Sequence, residues 1–206
     1  MHLLFRSGTA AGGALGMTGF RWLNEPADWK GDAASLELRT GDSTDFWQKT
    51  FYGFMRDNGH AFLRKVSGDF TASAIVLGDY RELYDQAGLF LRIDETHWIK
   101  TGIEFTDGLM HFSVVVTHGV SDWSVIPLHD AKPSDPVSVR LTRHDDAVRV
   151  QFSIGGGAWQ MARLCPFPED DAEVGVMACS PQRAGFVARF RDLTIGLPIS
   201  RQLHAE

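Results

Sequence analysis

Apolar and polar residues alternate with period two along most of this chain, and an apolar stripe at helical spacing is nearly absent. Alternation sends successive side chains to opposite faces of an extended strand, so one face can be buried while the other stays wet. The alternating runs are short and broken by Gly, Asp, Asn and Pro, the pattern of a β-sandwich or barrel. The clearest runs begin at Ser35, Ala61, Asp69, Ala87, His97, Met110, Val137, Ala147, Glu173 and Phe186. Between them, Asp57-Asn58-Gly59, Ser67-Gly68-Asp69, Asp107-Gly108, His144-Asp145-Asp146 and Gly155-Gly156-Gly157 supply residues that tolerate positive φ or cap tight turns. The expected class is all-β, with two antiparallel sheets. At 206 residues the chain fits one such domain, whose core is large enough to need neither disulfide nor metal.

Parity assigns faces. In residues 86–94, Ala87, Leu89, Leu91 and Ile93 point one way, while Gln86, Gly88, Phe90, Arg92 and Asp94 point the other. In residues 98–105, Ile99, Thr101, Ile103 and Phe105 oppose Trp98, Lys100, Gly102 and Glu104. In residues 110–117, Met110, Phe112, Val114 and Val116 oppose His111, Ser113, Val115 and Thr117. Short turns join these three strands, so they are expected to be antiparallel neighbours. Their apolar rows then form one core. Their mixed rows form a second surface with aromatics, opposite charges and a glycine, as a binding face would carry.

Composition narrows the partners. The net charge of −6 and the lack of any Lys/Arg run longer than two argue against nucleic acid, which needs a clustered basic face. No apolar run approaches the ~18 residues of a membrane span, so no membrane partner is expected. Cys165 and Cys179 are expected as two free buried thiols, with pairing across neighbouring strands as the alternative. Residues 1–16 read as a flexible leader, with a secretory signal as the alternative. Residues 17–200 read as the domain, residues 201–206 as a tail, and the protein as cytoplasmic.

The order of motifs resembles one family. Asp45-Phe46-Trp47 is followed by Tyr52-Gly53-Phe54, Asp57-Asn58-Gly59-His60 and Gly68-Asp69-Phe70. Then come Tyr84-Asp85-Gln86-Ala87-Gly88, Trp98-Ile99-Lys100-x-Gly102-x-Glu104 and Ser121-Asp122-Trp123-Ser124. Gly175-Val176-Met177 and Phe190-x-Asp192 close the series. The match runs over roughly residues 19–196, and the chain resembles the family called domain of unknown function 1349, also described as the regulation-of-enolase family. The resemblance implies a concanavalin A-like jelly-roll sandwich with a concave face, and it brings no established reaction.

The leading candidate site is the row Trp98, Lys100 and Glu104. Trp98 is expected as a stacking platform for a carbohydrate or other polar small molecule, with Lys100 and Glu104 bonding its hydroxyls. The alternative is a cross-strand ion pair beside a surface tryptophan. Gln86, Arg92 and His111 flank the row. Asp85 either lines the mouth of the same face or ties down a turn. Asp122 either completes a site with Glu104 or is a turn residue, with Trp123 plugging the sandwich end. Asp45, Trp47 and His60 divide in the same way.

Glycoside hydrolysis needs two carboxylates about 5 to 9 Å apart. Glu104 with Asp122 or Asp85 are the candidates, and an E-x-D-x-x-E signature is absent. An enzyme using Glu104, or a protein-interaction module in regulation of carbohydrate metabolism, are therefore alternatives to a binding domain. His97, His111 and His118 form no compact ligand set, and no metal site is expected; a Ca²⁺ loop over residues 42–45 is the alternative. No phosphate-cradling loop, dinucleotide fingerprint or nucleophile elbow occurs, so no cofactor is expected.

Overall fold

A computed structural model of the chain describes residues 19–203. The expected leader, residues 1–16, and residues 204–206 of the expected tail lie outside them. The described residues form strands and no helix. In chain order these are β1 (Phe20–Leu23), β2 (Asp28–Gly31), β3 (Ser35–Arg39), β4 (Phe46–Gln48), β5 (Met55–Asp57) and β6 (His60–Val66). Next come β7 (Phe70–Gly78), β8 (Gln86–Arg92), β9 (His97–Thr106), β10 (Leu109–His118) and β11 (Ser121–Pro127). The last are β12 (Val137–His144), β13 (Ala147–Ile154), β14 (Gln160–Pro166), β15 (Ala172–Cys179) and β16 (Val187–Gly196).

One sheet has the order β1-β6-β15-β8-β9-β10-β11 and the other β14-β13-β12-β7-β16-β3-β2. The pairs are antiparallel throughout, and β8, β9 and β10 are neighbours as expected. The main core lies between the two sheets. From the first sheet it takes Ala87, Leu89, Leu91, Ile99, Ile103, Met110, Phe112 and Val114, the rows that parity assigns inward. From the second it takes Phe70, Ala72, Ala74 and Val76 of β7, whose burial alternates along the whole strand. Phe112 and Phe152 stack across the interface, with centroids 4.3 Å apart. Cys165 and Cys179 are free and buried.

The third unit is small. β4 and β5 pair only with each other and form a hairpin apart from both sheets. It packs against the outer face of the first sheet, and it decides what that face can do.

Candidate functional site

Strand register arranges the outer face of the first sheet as a grid. From β15 across to β11, one lateral row is Cys179, Gln86, Glu104, His111 and Pro127. The next is Met177, Gly88, Gly102, Ser113 and Val125, and the third is Gly175, Phe90, Lys100, Val115 and Trp123. The fourth is Glu173, Arg92, Trp98, Thr117 and Ser121. Lys100 and Glu104 thus share a face, separated by a row with two glycines. A Cβ added at Gly88 would lie 1.9 Å from the Thr101 carbonyl oxygen. The strands approach too closely there for a side chain, which clears the middle of the floor.

The β4–β5 hairpin covers the half of this grid that contains Trp98. Phe46 stacks on Phe90 at 4.4 Å and lies 6.3 Å from Trp98. These rings join Ala61, Leu63, Val115, Met177 and Cys179 in a second, smaller core. Gln48 fastens the hairpin: its backbone N–H donates to Ser121 Oγ and its side-chain amide to Glu95 O, both at 2.9 Å. The Asn-Gly turn closes the other end, where Asn58 and Gly59 N–H groups donate to Asp45 O and Asn58 Oδ1 accepts from Asp45 N–H. The expectation of an open platform at Trp98 is therefore corrected. Its indole is 0% exposed and donates to Glu95 O at 3.1 Å.

Beside the hairpin lies a cavity of about 200 Å³. Gln86, Lys100, Glu104 and Val115 form its floor. Asp45, Trp47, Tyr52, Phe54 and Arg56 of the hairpin region form one wall, Tyr84 and Trp123 line it opposite, and Pro181 and Gln182 complete the lining. Lys100 Nζ donates to Asp45 Oδ1 at 2.9 Å, and both residues are buried. Burial opposes the charge on Lys100, but Asp45, with Cys179 and Glu104, more than offsets it and raises its pKa. Trp123 reaches across the glycine row. Its Nε1 donates to Glu104 Oε2 at 3.2 Å and Ser113 Oγ at 3.1 Å.

Burial holds the Glu104 carboxyl above its ordinary value; Lys100, Ser113 and Trp123 pull the other way, and Asp45 adds to the rise. The folded protein thus binds this proton more tightly than the unfolded chain. The contribution to stability is full below the ordinary value of 4.5 and is lost as pH rises through the raised value. In chemical denaturation, Glu104→Gln should gain stability relative to wild type as pH goes from about 4 to about 8. A difference that stays constant over that range would contradict a raised carboxyl.

Five other candidate residues lie elsewhere. Asp85 is fully buried and accepts from Arg81 N–H, Glu82 N–H, Ser180 Oγ and the Arg183 guanidinium, so it ties down a loop and does not line the mouth. Arg92 makes a two-pronged ion pair with Asp57 at 2.7 and 2.8 Å, bracing the hairpin outside the cavity. His111 shares the outer face but not the cavity lining, and its Nδ1 bonds the Leu109 carbonyl. Asp122 pairs in register with Val116, on the core side, and binds Arg163 of β14. The proposed partnership of Asp122 with Glu104 is corrected: Trp123, one residue on, reaches Glu104. His60 is structural, its ring bonding Gly41 N–H and the Asn24 carbonyl.

Sequence reasoning missed Tyr52, Phe54, Arg56, Tyr84 and Trp123 as lining residues. Parity carried through the turn at Gly119 would have found Trp123, because Thr117 pairs with Ser121 and Val115 with Trp123.

Over residues 22–198 the chain matches the family model described as "Protein of unknown function (DUF1349)". Regulation of enolase protein 1 of Saccharomyces cerevisiae is 41% identical over 184 residues, 89% of this chain and 92% of that protein. Uncharacterized protein AN7484 of Emericella nidulans is 28% identical over 174 residues, 79% of this chain and 86% of that protein. The crystal structure of a functionally unknown protein from Saccharomyces cerevisiae superposes with a TM-score of 0.83 at 40% identity, covering 89% of this chain and 98% of that one. Bacteroides ovatus Xyloglucan PUL GH43B shares the fold at TM-score 0.66 and 17% identity, over 87% of this chain and 36% of that one. The concanavalin A-like jelly-roll sandwich expected from the sequence is the fold found.

Proposed function

We propose, for a chain that belongs to the DUF1349 family of proteins of unknown function, that the cavity over Lys100 and Glu104 binds a neutral carbohydrate or sugar-like ligand. The observation that carries this reading is a cavity with aromatic walls over the buried Lys100–Asp45 pair and Glu104. A sugar ring offers apolar C–H faces and a rim of hydroxyls. Trp47, Tyr52, Phe54, Tyr84 and Trp123 suit the faces, and Lys100, Glu104, Asp45, Gln86 and Arg56 suit the hydroxyls. The buried Lys100–Asp45 pair neutralises itself, which favours a neutral ligand over an ionic one. The volume is below the roughly 300 to 1,000 Å³ of sites for drug-sized ligands, and fits one small ring. The likeness to Xyloglucan PUL GH43B concerns architecture and adds no substrate.

The test is a calorimetric titration with neutral monosaccharides and short oligosaccharides of glucose, galactose, mannose, xylose and arabinose. A member of the panel should bind wild type, and Trp123→Ala should weaken it by about 30-fold, or ~2 kcal/mol, as for an aromatic anchor that the ligand covers. Trp159→Ala, where the ring stacks on Arg140 away from the cavity, should leave affinity unchanged. A panel with no binder ends the reading.

A second reading has one observation in its favour. Asp45 and Glu104 flank the same ammonium, and the raised Glu104 carboxyl suits a proton donor. Release of free sugar from an oligosaccharide during the titration would move the assignment to hydrolysis. The reading also sets the protein in the cytoplasm, supported by two unpaired cysteines, which a reducing compartment maintains.

A further inference from the structure

We infer, on the premise that this cavity is a sugar site, that it takes a chain end or a free monosaccharide and not an internal stretch of polysaccharide. An internal stretch needs a groove open at both ends, and the outer face of the first sheet is not one.

Toward Trp98 the face is filled with protein. Phe46, 0% exposed, occupies the space above Phe90 and beside Trp98, and the two Gln48 hydrogen bonds hold the hairpin down over it. A chain leaving the Lys100 floor in that direction meets a packed core.

At the mouth, two tyrosines from opposite walls meet. Tyr52 stands on the β4–β5 turn and Tyr84 on the segment before β8, and their hydroxyl oxygens are 3.0 Å apart. Each ring packs against other aromatic residues of the lining. Tyr52 packs against Trp47 at 5.7 Å and Phe54 at 5.4 Å, and Tyr84 packs against Trp123 at 6.3 Å. The backbone is set for this contact at some cost: Tyr84 has φ 67° and Phe51, next to Tyr52, φ 63°. Bulky side chains rarely adopt such values, and they persist where the surroundings over-determine them. Here Tyr84 N–H donates to Phe105 O at 2.7 Å, and the next residue, the buried Asp85, accepts from Arg81 N–H and Glu82 N–H. The hydrogen bond with Tyr52 and partial burial push the Tyr84 hydroxyl up to about 12, so this phenol stays neutral at physiological pH.

A dead end on one side and a tyrosine bridge on the other leave room for one ring entering end-on. A polymer threading through would have to break the bridge and displace Phe46.

Counting bound copies per ligand chain tests this. For whichever sugar series binds in the panel, linear oligomers from the disaccharide to the octasaccharide and the soluble polymer are titrated by calorimetry at equal molar chain concentration. End capture predicts one protein per chain at every length, with unchanged affinity. Copies bound rising with chain length would overturn the inference while leaving the sugar site standing. Absence of binding by monomers, oligomers and polymer alike would overturn both.

Discussion

Trp98→Ala is expected to destabilise the protein by about 3 to 5 kcal/mol, the usual cost of emptying a large aromatic site in a core. The indole is fully enclosed by Phe46, Phe90 and their neighbours, and it donates to the Glu95 carbonyl. Truncation removes the packing that holds the hairpin on the sheet. For a chain of this size each kcal/mol lowers the midpoint by about 2 to 4 °C, so thermal unfolding should shift by roughly 6 to 20 °C. An exposed stacking platform behaves differently: truncation leaves stability near wild type and removes ligand affinity. A midpoint within about 2 °C of wild type would mean that the hairpin does not seal this ring.

Lys100→Met should cost a similar amount, again about 3 to 5 kcal/mol, for an electrostatic reason. Lys100 and Asp45 are both buried and joined at 2.9 Å, and the lysine is 4% exposed. Methionine keeps the stem and removes the charge, leaving the Asp45 carboxylate in a poorly solvated place without its cation. The double variant Lys100→Met with Asp45→Asn removes the orphaned charge while keeping an oxygen to accept the Phe46 N–H, which now bonds Asp45 Oδ1 at 2.8 Å. It should therefore be more stable than Lys100→Met alone. In a double-mutant cycle by urea unfolding, the coupling should exceed ~1 kcal/mol. Additive effects would show that the pair is solvated and that the cavity floor is more open than described.

The two outcomes depend on the hairpin, which is the part of the fold that the sequence conceals. The ten alternating runs correspond to the ten interior strands of the two sheets, where one face meets the core and periodicity is enforced. The four strands without a clear signal, β1, β2, β11 and β14, are the edges of the two sheets. Edge strands are only partly covered, and β11 and β14 are mostly exposed along their length, so little forces their residues to alternate. β4 and β5 have three residues each, too few to display a period, and all three of β4 are buried. Nothing local in Phe46-Trp47-Gln48 says that it lies on another strand's outer face.

The same limit explains the site. Parity correctly groups Lys100, Glu104, Gln86 and Trp98 on one face, because pleating fixes direction. It carries no information about depth. One end of the row is sealed beneath Phe46 while the other lines a cavity, and only tertiary placement of the hairpin separates them. Asp122 and Trp123 fail for a related reason. The carboxylate drew attention by its chemistry, whereas the register through the turn at Gly119 selects the indole.

The proposed ligand site lies over Lys100 and Glu104, between Trp47 and Trp123. Titrating the ¹⁵N-labelled protein with the sugar panel while following its six tryptophan indole signals locates the bound ligand. Binding there should move the Trp47 and Trp123 signals together along one saturable curve while those of Trp98 and Trp159 stay in place. Movement confined to Trp98 or Trp159, with the two cavity indoles unchanged, would contradict it.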